Sequence, residues 1–79
     1  MAFYVRITKT EDSERSAKYQ FTGDGANVGR LVIDKETGNV EILEPAPGDV
    51  SGAIAARASA KLRKEWKGGK FPDLTEWAS

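Results

Sequence analysis

The side chains that carry most enzymatic chemistry are missing from this chain. Among its 79 residues there is no histidine and no cysteine. That removes the commonest general acid–base group, the thiolate nucleophile and the usual ligands of a tetrahedral zinc site. Serines and carboxylates remain, but no Ser–Lys pair and no pair of acids stands out from ordinary surface polarity. Ser59 sits near Lys61 and Arg63 at plain helix-surface spacing. The sequence nominates no catalytic residue, and the expectation is a non-enzymatic protein without cofactor or metal.

Binding chemistry is better represented. The 12 basic and 12 acidic residues cancel overall, which argues against a dedicated nucleic-acid binder held by nonspecific charge. Their placement is uneven. Over residues 34–56 five acids face a single lysine, whereas over residues 57–70 six bases face a single acid. Asp34, Glu36, Glu41 and Glu44 gather around one turn and could meet a cationic protein, with the charge speeding association and selecting the partner. The competing role is solubility and protection of a strand edge. Arg57, Lys61 and Lys64 follow i, i+4, i+7 spacing, with Lys67 and Lys70 beyond them. They form a stripe that suits a phosphate backbone or an acidic protein, or else a solvated helix flank. A third set, Tyr4, Val32 and Leu43, falls on the sheet face expected to be wet, where apolar side chains can mark a partner surface.

The glycine-rich residues 23–29 (GDGANVG) invite comparison with a phosphate cradle. Such cradles place glycine amides on an anion at a helix N-terminus. Here the stretch runs from one strand-like segment to the next, without a following Lys-Ser/Thr pair. It also lacks the oxygen ligands and terminal Glu of a calcium loop. A β-connection that could still touch a partner is the expectation.

These side chains need elements to hold them. Residues 3–8 alternate with period two, putting Phe3, Val5 and Ile7 on one face. The polar residues 10–16 read as a turn, and residues 17–22 alternate again with Tyr19 and Phe21 inward. Residues 30–34 form a third strand with Leu31 and Ile33 on one side. Gly38-Asn39 supplies the positive φ that tight turns need. Residues 40–44 answer with Val40 and Ile42 inward, until Pro45 and Pro47 end the ladder.

Residues 49–67 form the one long helical pattern. Ile54, Ala55, Ala58, Leu62 and Trp66 share its apolar side, opposite Arg57, Lys61, Arg63, Lys64 and Lys67. Asp49 is the expected N-cap, with Ser51 competing, and Gly68-Gly69 supplies the stop. In the tail, Asp73 and Glu76 have capping-box spacing that suggests a helical turn. Phe71, Leu74 and Trp77 are expected to fold back over an open edge of the core.

The resulting expectation is one α+β domain spanning residues 1–79: a two-layer ββββα fold. It comprises a four-stranded antiparallel meander in sequential order (residues 1–44), a helix across one face (49–67) and a short apolar tail (70–79). Its core is Phe3, Val5, Ile7, Tyr19, Phe21, Leu31, Ile33, Val40, Ile42, Ile54, Leu62 and Trp66. A core of this size supplies only about 3–5 kcal/mol of stability. No run approaches the ~18 apolar residues of a membrane span, and the N-terminus alternates rather than forming a signal peptide's apolar block. A cytoplasmic location without membrane attachment is expected. In function the chain is expected to bind another protein, in the manner of small toxin-neutralising or immunity proteins of comparable scale. Tyr4, Val32, Asp34, Glu36, Glu41, Leu43 and Glu44 are the candidate contacts. The alternative is nucleic-acid binding through Arg57, Lys61, Lys64, Lys67 and Lys70.

Overall fold

A computed structural model describes residues 4–78. The chain runs β1 (Tyr4–Asp12), β2 (Ser16–Thr22), β3 (Val28–Asp34), β4 (Val40–Glu44), α1 (Ala53–Lys67) and β5 (Leu74–Ala78). The first four strands form an antiparallel meander, and the helix packs across one face. The fifth strand returns beside β1, giving the order β4-β3-β2-β1-β5. The α+β meander with one covering helix is thus as the alternation implied. The tail is the departure: residues 74–78 form a fifth strand, not a helical turn, and pair antiparallel with β1 from Tyr4↔Ala78 to Thr8↔Leu74.

Alternation decides which side is buried. Val5, Ile7, Tyr19, Phe21, Leu31 and Ile33 are fully buried beneath the helix, which contributes Ala55, Ala58 and Leu62. Burying a leucine such as Leu62 stabilises by about 1.5–3 kcal/mol. Ala17 and Ala46 complete the core with small side chains. At Gly29, opposite Phe21, a Cβ would fall 2.4 Å from Phe21 Cζ and 2.7 Å from the Ala46 amide nitrogen. The segment after β4 crosses the inner face there because no side chain stands in its way.

Several core expectations shift. Val40, Ile54 and Trp66 are only partly buried against the core, and Ile42 is 38 % exposed. The reason for Ile42 is positional, since β4 is an edge strand of the described sheet. Phe3 lies outside the described residues. The expected turn over residues 10–16 is shorter, because backbone pairing outlasts the apolar pattern: Glu11↔Lys18 and Asp12↔Ala17 still pair.

The helix begins later than expected, at Ala53, with Gly52 in the left-handed region before it. Asp49 still caps it from a distance: one carboxylate oxygen accepts the Ile54 amide and the other the Ala55 amide, both at 3.1 Å. At the C-terminus Gly69, with φ +73°, lets the Lys70 amide reach back to the Glu65 carbonyl and its own amide to that of Trp66, both at 2.9 Å. This is the paired closure that satisfies otherwise orphaned carbonyls.

Two clasps tie the chain beyond β4 back to the sheet. Trp66 Nε1 donates to the Lys35 carbonyl at 2.8 Å, and its ring lies where a Cβ on Gly38 would be, within 2.6 Å of Cε3. The second clasp depends on a bulge in β1 between Lys9 and Glu11. Strict alternation would put Lys9 and Glu11 on one face, but the extra residue brings Asp12 round to join Lys9. Lys9 Nζ bonds Asp12 at 2.9 Å, Lys35 also bonds Asp12, and Lys9 further holds the Phe71 carbonyl at 2.9 Å. Tyr19 Oη donates to the Pro72 carbonyl at 2.8 Å. The lead-in to β5 is thereby tied to the β1–β2 end of the sheet.

Candidate functional site

The acidic hairpin is built by its own side chains. One oxygen of Asp34 accepts the Glu36 amide at 2.8 Å and the Thr37 amide at 3.1 Å, a local turn that Asp favours. Gly38, with φ +78°, then reverses the chain beneath Trp66. One Asp34 oxygen is therefore taken up by the turn itself. Glu36, Glu41 and Glu44 are exposed and form no ion pair among the described residues. The one lysine of the hairpin, Lys35, is turned away onto Asp12 and the Phe71 ring, 5.1 Å from its centroid. Apart from Arg30 opposite Glu44, the hairpin surface is left acidic.

Its outer strand is an open edge. Asp34 donates its amide to the Asn39 carbonyl at 2.8 Å, which with Ile33↔Val40 and Leu31↔Ile42 sets the phase of the ladder. Val40 and Ile42 are the residues whose main-chain groups face away from β3. A register shift beside Arg30 and Leu31 displaces Leu43, which is 44 % exposed. Leu43 and Glu44 border a shallow depression of about 300 Å³ shared with Thr10, Glu11, Lys18 and Arg30. Edge, apolar step and carboxylates adjoin one another.

Of the sheet-face candidates, Val32, Asp34, Glu36, Glu41, Leu43 and Glu44 are brought together on the β3–β4 hairpin, with Val32 paired to Glu41. Tyr4 is not among them. It belongs to the opposite end of β1, whereas Val32 shares the sheet row of Glu11 through Lys18, roughly 20 Å away at the rise of a strand. Its hydroxyl donates to Glu76 at 2.7 Å and accepts from Arg6 Nε at 3.4 Å. The outer face between is polar, with Arg6, Lys18 and Gln20 interleaved, not one apolar patch.

The basic stripe is divided as well. Arg57 is half-buried, its guanidinium 5.1 Å from the Trp77 ring centroid and Nη1 donating to the Ala53 carbonyl at 3.2 Å. It leaves the solvated flank because β5 extends the sheet beneath it, and a wheel drawn for an isolated helix does not include that strand. Lys61 reaches Glu65 at 3.4 Å. Lys64, Lys67 and Lys70 are exposed.

The glycine-rich connection is organised rather than slack. Asp24 accepts the Ala26 and Asn27 amides at 2.8 Å and Asn27 Nδ2 at 2.7 Å. The amide bonds from Asn27 and Ala26 hold its carboxyl well below the usual carboxylate range. Its oxygens are committed to the loop. A depression of about 350 Å³ lies beside it, floored by Tyr4, Gly23 and Ile54.

No family model, curated protein or solved structure matches the chain. Among the described residues no three acidic side chains converge as metal ligands, and no helix is long and apolar enough to cross a membrane. Sequence reasoning missed the β5 edge, although Thr75 and Trp77 alternating with Glu76 is a strand signal in miniature.

Proposed function

We propose that this chain is a non-enzymatic binding module whose partner is another protein, engaged along β4 and the acidic β3–β4 hairpin. The observation that carries the reading is the open β4 edge: outward main-chain groups at Val40 and Ile42, an exposed Leu43, and carboxylates at Glu36, Glu41 and Glu44 without ion partners among the described residues. An extended segment of a partner adds to such an edge by main-chain hydrogen bonds, while side-chain contacts give specificity. The carboxylates favour a cationic partner, by long-range steering and by rejecting acidic strands. A neutralising protein of the immunity type, covering a basic surface on a toxin, fits this chemistry. A cytoplasmic setting belongs to the same proposal.

The test is recovery of one specific cationic partner by the wild-type chain, compared with Glu41→Lys and Leu43→Glu. Both positions are exposed, so the variants should retain the wild-type circular dichroism. The expected result is that each weakens capture, and that capture by the wild type falls with added salt. Equal recovery by all three chains would remove the β4 edge from consideration. The alternative reading, nucleic acid on Lys64, Lys67 and Lys70 with Arg57 and Lys61, predicts a shift of a labelled oligonucleotide at low salt. Its affinity would fall with a log–log salt slope of about −0.9 per phosphate on duplex DNA. The engagement of Arg57 with Trp77 weakens that alternative.

A further inference from the structure

The second edge of the sheet differs from the first in charge. Lys9 donates its amide to the Asp73 carbonyl at 2.8 Å, and with the register Thr8↔Leu74, Arg6↔Glu76, Tyr4↔Ala78 this fixes the ladder phase of β5. The main-chain groups of Leu74, Glu76 and Ala78 therefore point away from β1, toward open space. Beside this edge runs a groove of about 420 Å³ between β5 and α1, lined by Ala60, Lys61, Lys64, Glu76, Trp77 and Ala78. The two alanines keep it open. Among the described residues Lys64 makes no ion pair, and Lys61 makes one, a 3.4 Å contact to Glu65. The carboxylate of Glu76 is engaged by the Tyr4 hydroxyl at 2.7 Å.

We propose that this groove takes an extended acidic peptide, which adds to β5 as a sixth strand and places its carboxylates on Lys61 and Lys64. Strand addition requires unpaired main-chain groups at every second residue, and the β5 edge has them at Leu74, Glu76 and Ala78. Two ammonium groups above one side of that edge select negative charge on alternate side chains of the incoming strand. A nucleic acid uses the site less well. It has no backbone amides to match the edge, and the Trp77 ring, with Arg57 over it at 5.1 Å and packed against the core, is poorly placed to stack on a base. The groove is independent of the β4 surface, because the two edges lie on opposite sides of the sheet.

The experiment uses the full chain and a fluorescein-labelled peptide of about eight residues alternating Glu and Thr, the length of an ordinary strand, followed by fluorescence anisotropy at low salt. Binding is expected, with no binding of the Lys-Thr counterpart. Lys61→Gln and Lys64→Gln should each weaken it by about two- to fivefold, the loss of one surface ion pair. Both lysines are away from the buried core, and circular dichroism checks that the variants are folded. Methylating alternate peptide amides should abolish binding in one phase and spare it in the other, and the Glu76 and Ala78 amides should gain exchange protection. Binding unchanged by either lysine variant would overturn the proposal. So would equal tolerance of both methylation phases, or protection confined to β4. A labelled oligonucleotide binding while the peptide does not, or concentration-dependent self-association that excludes the peptide, would equally overturn it in favour of nucleic acid or a second copy.

Discussion

At the scale of single residues, stability turns on close approaches and shared charges more than on bulk. Gly38 has φ +78° and lies against the Trp66 ring, so Gly38→Ala meets both backbone strain and a clash. The strain alone costs about 1–3 kcal/mol, a large part of what so small a core supplies. The expected outcome is a lowered melting temperature together with altered tryptophan fluorescence as Trp66 is displaced. A silent substitution would show that the hairpin turn does not rest on that ring. The charged clasp responds to acid instead. Asp12 is held below its ordinary range by bonds from Lys35 and then Lys9, and Asp24 by the amides of its loop. A carboxylate with a folded pKa below its unfolded value, about 3.9, contributes fully above that pH and loses its contribution as pH falls through the lowered folded value. Melting temperature should change little on this account between about pH 5 and 7 and decline below about pH 4. In Asp12→Asn and Asp24→Asn the decline should be shallower, as read by thermal melts across the acid range.

At the scale of elements, legibility followed periodicity. Val5, Ile7, Tyr19, Phe21, Leu31 and Ile33 could be assigned inward because two-residue alternation places every second side chain of a half-buried strand on the same face, and all six are buried. Leu62 and the helix alanines followed in the same way from the 3.6 period. The fifth strand is obscured because the Asp73–Glu76 spacing suggests a turn that competes with its short alternation. Its pairing with β1 is set by tertiary context, which local sequence does not contain. Arg57 depends on the same strand: on an isolated helix it faces solvent, and with β5 in place it lies over Trp77. Of the candidate contacts, the acids of the hairpin were legible as a cluster because they are near in sequence. The separation of Tyr4 from Val32 was not, because it depends on register.

At the scale of the molecule, the sheet has two dissimilar edges. β4 is bordered by acids and β5 by Lys61 and Lys64, so pairing of two β4 edges is opposed by like charge, a recognised defence against edge-to-edge association. β1 has no comparable protection: its edge is covered by β5 and by the partly buried Trp77 packed against the core. A chain shortened by residues 73–79 should expose that edge, losing monodispersity in light scattering as well as thermal stability. Unchanged particle size and melting temperature would show that β5 is dispensable for solubility.

The joining of the last strand to the first also has a meaning in time. β1 ends at Asp12 and β5 begins at Leu74, so during translation one flank of β1 stays bare while more than sixty further residues are made. At about 5–20 residues per second that interval is on the order of several seconds. β2 can protect only the other side. For that period the β1 main-chain groups that later pair with β5 stay with solvent, and closure of that flank waits on the arrival of Trp77.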